Sequence, residues 1–275
     1  MNILVTGCNG FIGKNMVSYL SHMTDWHIEG WDWDPDKSTW PKVHKYDWII
    51  HLGAIADMSS NDVEAILTQN LEFSQWLFNE CNHHGTHLQY ASSSSVYGNT
   101  KNFSEYAECH PQTPYAWSKY LFDRWAFQQE HHVYVHGFRY FNVYGKWMHL
   151  RGNRSNFIYK CRQQAKDLGY IEVWEGAEHI KRDWTWVGDV CRLHVDFIEK
   201  VKGSGIWNVG SGLAHSFLDI AEEIAEQEKV EIRTIPIPKD EQLRMRNTTC
   251  ADLHHLKETI GGRKWLNVYE WIATE

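Results

Sequence analysis

The chain has 275 residues, a formal net charge of −8 at pH 7, 43% hydrophobic residues and 23% charged residues. These proportions are ordinary for a globular protein and exclude an intrinsically disordered chain. The negative charge, with no dense run of Lys and Arg, argues against nucleic acid or an anionic membrane as a partner. A chain of this length can form one large domain or two smaller ones.

The six cysteines are spread along the chain without a CxxC pair, which is typical of reduced thiols and predicts a cytoplasmic protein. The apolar run at residues 2–6 is too short for a signal peptide or a membrane span. Histidine pairs occur at 83–84, 131–132 and 254–255. Adjacent side chains at a helix end converge poorly on an ion, so no metal site is predicted.

Strand and helix patterns alternate along most of the chain. Apolar runs predict strands at residues 2–6, 27–32, 46–52, 86–92, 133–140, 171–174, 180–186 and 206–209. Helical spacing predicts helices at residues 11–20, 61–82, 114–131, 154–168 and 187–200. This alternation indicates an α/β fold, a doubly wound parallel sheet of the Rossmann type, followed by a small mixed C-terminal region.

A glycine-rich turn, GCNGFIG at 7–13, lies between the first predicted strand and the first predicted helix. Glycines there allow a tight turn and let backbone N–H groups approach a pyrophosphate at a helix N-terminus. The GxxGxxG spacing differs from the commoner GxGxxG, so the turn alone does not decide the site. The predicted contacts with a dinucleotide are Gly7, Asn9, Gly10, Phe11, Ile12 and Gly13.

Asp32 ends the second predicted strand. A carboxylate in that place accepts hydrogen bonds from the adenosine ribose and repels a 2′-phosphate, which favours NAD over NADP. Lys37 lies five residues further on and could partly reverse the preference, so NADP stays open.

Tyr115 and Lys119 stand four residues apart at the start of a predicted helix and therefore share one face. A phenol with a pKa of about 10 is a poor base at neutral pH, and an adjacent ammonium group lowers that pKa. Tyr115 could then take the proton of a substrate hydroxyl. The four serines at 92–95 follow an apolar strand and offer hydroxyls to the same oxygen, although a lone Tyr-x-x-x-Lys also occurs on solvated helix faces.

Taken together, the glycine turn, YASSSSVYG (90–98) and YAWSK (115–119) resemble the extended short-chain dehydrogenase/reductase family. Four later segments resemble its sugar-nucleotide epimerases and dehydratases, most closely the ADP-heptose 6-epimerases. They are GFRYFNVYG (137–145), EGAEHIKRDWTWVGDV (175–190), GIWNVGSG (205–212) and IPIPKDEQLRMRNTTCADL (235–253). The resemblance covers nearly the whole chain and implies an NAD-dependent epimerase of a nucleotide-linked sugar, acting as a homodimer.

The resemblance also implies roles for individual residues. Ser93, Tyr115 and Lys119 are expected to be catalytic, and Tyr115 and Lys119 also to hold the cofactor. The further cofactor contacts it implies are Leu52, Gly53, Ala54, Asn70 and Phe141. The substrate contacts are Ser94, Asn142, Arg151, Trp174, Arg182 and Arg244, of which the last two suit bidentate pairing with a diphosphate. Trp174 is a candidate for stacking on the nucleotide base.

The chain departs from these relatives at a second acid/base. They carry a Lys shortly after NVYG, and Arg151 stands at that position here. Arginine stays protonated and is a poor proton acceptor. Either His149 or Lys146 takes over the second proton transfer, or the reaction differs.

A second departure is the short connection between Asp32 and the strand at residue 46, which has no room for the strand and helix that relatives fit there. The sheet is therefore expected to be one strand shorter, with part of the wall around the adenine absent. The serine run carries no Asp-Glu pair, which argues against sugar 4,6-dehydration.

Residues 1–146 are predicted to form a dinucleotide-binding domain that also receives residues 187–210. Residues 147–275, mainly 147–186 and 211–275, are predicted to bind the substrate. Three alternatives stay open: a UDP-sugar 4-epimerase of the UDP-galactose or UDP-glucuronate type, a reductase that consumes NADPH, and a non-catalytic cofactor-binding scaffold.

Overall fold

The main body of the protein is a six-stranded parallel sheet. A computed structural model describes residues 1–238 and 248–274, apart from the side chains at positions 153 and 154. The strands of this sheet, numbered in chain order, are β1 (Asn2–Thr6), β2 (His27–Trp31), β3 (Trp48–His51), β4 (His87–Ser93), β5 (Val135–Tyr140) and β9 (Gly205–Val209). They lie in the order β2-β1-β3-β4-β5-β9 with every neighbouring pair parallel. The predicted doubly wound sheet is confirmed, and its strand order reverses between β1 and β3, where such sheets bind ligands.

Helices cover both faces of the sheet. They are α1 (Phe11–Met23), α2 (Val63–Leu67), α3 (Phe73–His84), α4 (Pro114–Ala126) and α6 (Val187–Lys200). Ile3 and Val5 of β1 belong to the apolar core on the side of α1 and α6, whereas Leu4 belongs to the core on the side of α3 and α4. Successive strand residues point to opposite faces, so a strand covered on both sides is apolar throughout, as the sequence pattern indicated.

The edge of the sheet at β2 is shortened as predicted. Only two short 3-10 turns, Lys37–Thr39 and Val43–Lys45, separate β2 from β3. A group of aromatic side chains, which we call the edge cluster, packs beside β2: Trp31, Trp33, Trp40, Phe73 and Trp76. Phe73 is its centre, with ring centroids 5.1 Å from Trp31, 5.2 Å from Trp33 and 4.9 Å from Trp40.

The predicted helix at 61–82 is present but irregular. One π-helical turn, Thr68–Glu72, joins α2 to α3. A π turn keeps the apolar spacing close to that of an α-helix, so periodicity does not reveal it. Buried Asn70 lies within this turn.

A smaller region follows the sheet. Its elements are β6 (Asn142–Tyr144), α5 (Phe157–Leu168), β7 (Tyr170–Trp174), β8 (Lys181–Trp186), β10 (Ala214–Ser216), α7 (Phe217–Glu228), β11 (Glu231–Ile235), β12 (Thr248–Thr249) and α9 (Val268–Thr274). β8 pairs with β6, β10 and β12, and β7 pairs with β11. These elements share a separate apolar core that contains Ile158, Trp184 and Ile224.

The remaining helix, α8 (His254–Ile260), returns to the main sheet. Its Leu256 lies in the core on the side of α1 and α6, and the indole N–H of Trp207 in β9 donates to the hydroxyl of Thr259 at 2.8 Å. The division of the chain near residue 146 stays a prediction. None of the helices in the described ranges is long and apolar enough to cross a bilayer.

Candidate active site

In the glycine turn, Gly7 and Gly13 have no room for a side chain. Gly7 has a φ of +70°, in the left-handed region. A Cβ on Gly7 would lie 2.6 Å from the Cα of Gly53, and one on Gly13 would lie 2.0 Å from the carbonyl oxygen of Gly7. Gly10 caps α1 without a side-chain hydrogen bond, so no side chain occupies the N–H groups of the first helical turn. This cradle at the switch point of the sheet fits a dinucleotide pyrophosphate.

Asp32 lies directly against the glycine turn. Its Oδ2 accepts the backbone N–H of Asn9 at 3.1 Å, and its Oδ1 accepts the backbone N–H of Trp33 at 2.9 Å. Each carboxylate oxygen keeps a further acceptor site for a ribose hydroxyl. The ammonium group of Lys37 lies 5.5 Å from the ring centre of Trp40.

A buried histidine, His51, holds the residue that precedes the glycine turn. It was not predicted from the sequence. His51 Nδ1 lies 2.7 Å from Oγ1 of Thr6, and its Nε2 lies 2.8 Å from Oγ of Ser74. Burial, with the charge of Lys119 nearby, lowers the pKa of His51 to about 3, so the ring is neutral. The side chain therefore links β1, β3 and α3. A single histidine in an apolar strand gives no sequence signal for this role.

Asn70, a predicted cofactor contact, holds the surrounding backbone. Its Oδ1 accepts the N–H of Ile55 at 2.8 Å, and its Nδ2 donates to the carbonyl of Ile55 at 3.0 Å and to Oγ of Ser118 at 3.1 Å. The Ser118 hydroxyl in turn donates to the carbonyl of Tyr115 at 2.8 Å. Asn70 thereby connects the segment after β3 to the first turn of α4.

The predicted Ser–Tyr–Lys group is brought together at the carboxyl end of β4. Thr113 caps α4 by accepting the N–H of Ala116 at 3.2 Å, which starts the helix just before Tyr115. The hydroxyl of Ser93, the last residue of β4, lies next to the phenol of Tyr115 and lowers its pKa. Lys119 follows one turn later on α4 and is buried.

The site shifts the pKa values of both titratable groups. Burial raises the pKa of Tyr115, while the nearby Ser93 hydroxyl and the charge of Arg151 lower it. Burial lowers the pKa of Lys119 to about 8, against the charge of Asp123, which raises it. A lysine with this pKa is still mostly protonated at neutral pH, so a positive charge lies one helical turn from the phenol.

A buried hydrogen-bond network around the carboxylate of Asp123 lies next to the Ser–Tyr–Lys group. It was not predicted from the sequence. Asp123 accepts hydrogen bonds from Tyr90 at 3.0 Å, from Ser92 at 2.9 Å and from Nε of Arg139 at 3.0 Å. Asp123 lies one turn after Lys119, and Ser92 directly precedes Ser93. The network therefore sets the spacing between α4 and β4 that Ser93 and Lys119 require. In the sequence, the position of Asp123 four residues after Lys119 was the only sign that it lies near the site.

Arg151 reaches the site from the loop after β6. Its Nη2 donates to the carbonyl of Ala56 at 3.2 Å, in the segment that follows β3. Ser94 begins the 3-10 turn Ser94–Tyr97 directly after Ser93. Of the two candidates for a second base, His149 is exposed, and Lys146 is exposed with its ammonium group 4.8 Å from the ring centre of Trp147.

The other predicted substrate residues lie in the smaller region. Asn142 begins β6 and pairs with Trp184 of β8, the strand that also carries Arg182. The Arg182 guanidinium lies 5.3 Å from the ring centre of Phe217. Trp174 ends β7 opposite Ile235 of β11. Arg244 lies outside the described residues.

The remaining predicted cofactor residues differ in how much of their side chains is exposed. Phe11 and Phe141 are each 4% exposed, and their rings belong to the main core, so only their backbone can face a cofactor. Ile12 and Leu52 are half-buried against the same core. Ala54 follows Gly53 at the carboxyl end of β3.

An open parallel sheet with a glycine cradle at its switch point, beside a Ser–Tyr–Lys group, defines a class of enzymes that oxidise and reduce carbinol carbons with a nicotinamide dinucleotide. Residues 3–210 match the model of the NAD dependent epimerase/dehydratase family. The chain is 31% identical over 299 aligned residues to ADP-L-glycero-D-manno-heptose-6-epimerase of Brachyspira hyodysenteriae, covering 97% of this chain and 94% of that protein. The chain belongs to the NAD dependent epimerase/dehydratase family.

Solved structures share the fold over nearly the full length. ADP-L-glycero-D-manno-heptose-6-epimerase of Helicobacter pylori superposes with a TM-score of 0.86 at 20% identity, covering 99% of this chain and 94% of that one. UDP-glucose 4-epimerase of Thermus thermophilus, in complex with NAD, gives 0.81 at 23% identity, covering 99% and 96%. At these identities the likeness concerns the fold.

Proposed function

We propose that this protein epimerises a nucleotide-linked sugar by transient oxidation of one carbinol carbon. The observation that carries the proposal is Tyr115, next to Ser93 and one helical turn from Lys119, beside a glycine cradle for a dinucleotide. The relative from Brachyspira hyodysenteriae supports an ADP-linked heptose as the first substrate to test.

The cofactor is NAD, and the residues of the cradle fit it. Gly7 and Gly13 allow the tight turn that brings backbone N–H groups to the pyrophosphate, and Asp32 offers acceptors to the adenosine ribose. Bound there, the nicotinamide supplies a hydride acceptor and donor. The Asp32 carboxylate disfavours NADP, and Lys37 is engaged with Trp40.

Proton transfer falls to Tyr115. Its phenolate takes the proton of the substrate hydroxyl, and Ser93 donates a hydrogen bond to the same oxygen. The positive charge of Arg151 favours the phenolate, and the ammonium group of Lys119 lies one helical turn away. Once the opposite face of the oxidised carbon is presented, Tyr115 returns the proton and the product has inverted configuration.

A single acid/base is the simplest mechanism for this chain. Arg151 occupies the position of the second base in the heptose epimerases and stays protonated. Lys146 lies over Trp147 and His149 is exposed. This observation favours a second candidate function, a UDP-sugar 4-epimerase, in which one tyrosine serves both proton transfers.

The sugar nucleotide is proposed to lie between the sheet and the smaller region. Asn142 and Arg182, on the adjacent strands β6 and β8, would bind its diphosphate together with Arg244. Trp174 would stack on the base. Residues 1–146 with 187–210 would hold the cofactor, and the rest of the chain would hold the substrate.

The protein is further proposed to be a cytoplasmic homodimer. All six cysteines are free thiols, as expected in a reducing compartment. Trp117 and Leu121 are 45% and 38% exposed and lie one turn apart on α4, which makes an apolar face suited to a second copy.

The test is a proton NMR assay with ADP-heptose, UDP-galactose and UDP-glucuronate, each offered separately to the NAD-loaded protein. We expect one of them to approach an equilibrium mixture of epimers without lasting NADH absorbance. Steady NADH or NADPH turnover would support a reductase instead. No reaction with any of the three, by protein that binds NAD, would contradict the proposal and favour a non-catalytic scaffold.

A further inference from the structure

One member of the edge cluster, Trp33, directly follows Asp32, the carboxylate proposed to bind the adenosine ribose. Asp32 accepts hydrogen bonds from Asn9 in the glycine turn and from the backbone of Trp33. The Trp33 side chain therefore starts at the carboxyl end of β2, on the adenosine side of the cradle.

Two members of the cluster are tied down through their indole nitrogens. Nε1 of Trp31 donates to the carbonyl of Thr39 at 3.1 Å, and Nε1 of Trp40 donates to the carbonyl of Asp34 at 2.9 Å. These bonds fix the short connection between β2 and β3 and hold both rings in place.

Trp33 differs from these two. Its indole N–H makes no hydrogen bond to any residue within 1–238 or 248–274, and its side chain is half-buried. Its ring packs edge-on against Phe73, with centroids 5.2 Å apart at 77°, and lies 5.8 Å from the ring of Trp40. One side of the indole is thus supported by the protein while the rest stays accessible.

The accessible indole lies where the cofactor needs a wall. The shortened edge leaves no strand and helix beyond β2 to cover an adenine attached to a ribose at Asp32. A flat aromatic ring backed by other aromatic rings is the surface on which purines stack in proteins. We propose that Trp33, supported by Phe73 and Trp40, forms the wall for the adenine of bound NAD. The Trp33 indole would thus take the place of the strand and helix that are absent beyond β2.

The test measures binding of NAD and of ADP-ribose by calorimetry, after co-purified cofactor is removed, in four proteins: the natural chain, Trp33→Leu, Trp33→Phe and Trp76→Leu. Both ligands carry the adenosine, so Trp33→Leu should weaken both by the same factor, about 10-fold, as expected for one lost stacking partner. Trp33→Phe keeps an aromatic face and should restore most of the affinity.

Trp76→Leu is the matched control. Trp76 belongs to the same cluster, with its ring 4.6 Å from Trp40 and 5.5 Å from Phe73, but it lies on α3 and not on the segment that carries Asp32. We expect it to bind both ligands like the natural chain. Unchanged ADP-ribose affinity in Trp33→Leu, or an equal loss in Trp76→Leu, would overturn the proposal. Neither titration involves turnover, so the result is independent of whether the chain is an epimerase.

Discussion

Among single residues, Tyr115 has the most specific chemical role. Its phenol lies next to the hydroxyl of Ser93 and near the positive charge of Arg151, both of which favour the phenolate. We predict that Tyr115→Phe lowers turnover by ~10²–10⁴, the usual contribution of a general acid–base group. Turnover is measured by the NMR assay.

Tyr106→Phe is the control for this substitution, because Tyr106 is 79% exposed and lies outside the site. It should retain full activity. If Tyr115→Phe also remained fully active, Tyr115 would not be the proton-transfer group.

Asp123 should control the pH dependence through Lys119. Burial lowers the pKa of Lys119 to about 8 and Asp123 raises it, so activity that needs the ammonium group falls as pH rises through that value. Asp123→Asn removes the negative charge, and the pKa of Lys119 should decrease. The alkaline limb of the kcat/KM profile is therefore predicted to move to lower pH.

Ser92→Ala is the control for Asp123, since it deletes one hydrogen bond to the carboxylate without changing any charge. Its alkaline limb should stay in place. If the alkaline limb of the kcat/KM profile of Asp123→Asn stayed in place or moved to higher pH, Asp123 would not act on Lys119. Asp123→Asn should also lower the melting temperature, because Arg139 keeps a buried charge without its partner.

At the scale of elements, the turn between β1 and α1 depends on two close approaches of backbone to backbone. A Cβ at Gly13 would lie 2.0 Å from the carbonyl oxygen of Gly7, so the loop has to shift in Gly13→Ala. We predict a loss of about 1–3 kcal/mol in stability, as for other overpacked sites, together with weaker NAD binding. Thermal melting and calorimetry measure the two effects.

Gly10→Ala provides the comparison within the same turn. Its Cβ would lie 3.3 Å from the same carbonyl oxygen, so a small adjustment accommodates it. Equal effects of the two substitutions would mean that the tight contact at Gly13 does not set the shape of the turn.

The elements could be predicted from the sequence because each is encoded locally. The inner strands of the main sheet are buried on both faces and are mostly apolar in sequence, and the glycine turn and the Tyr115–Lys119 pair are short motifs. The shortened edge followed from counting residues after Asp32.

What escaped prediction depends on residues far apart in the chain. His51 joins Thr6 to Ser74, and Asp123 meets Arg139 across two elements. The hydrogen bonds between Asn70 and Ile55 were not predicted either. They depend on a π turn, which leaves the helical periodicity of the sequence unchanged. Such pairings are set by the packing of elements, which one sequence does not reveal.

At the scale of the whole molecule, the exposed face of α4 should form the contact between two copies. Trp117 and Leu121 are apolar, exposed and one turn apart on the helix that carries Tyr115. We predict a dimer in sedimentation velocity for the natural chain, and a monomer for Trp117→Glu combined with Leu121→Glu. An unchanged dimer in the double variant would place the interface elsewhere, as would a natural chain that sediments as a monomer.

Hydrogen tracing during turnover tests the epimerase assignment most directly. The accepted nucleotide sugar is prepared with deuterium on the carbon that is inverted, and the products are followed by NMR in ordinary water. Transient oxidation within a closed site predicts that the epimer retains the deuterium on that carbon, with no lasting NADH. Loss of the label to solvent would indicate that a base removes the hydrogen from carbon, and the oxidative mechanism centred on Tyr115 would be wrong.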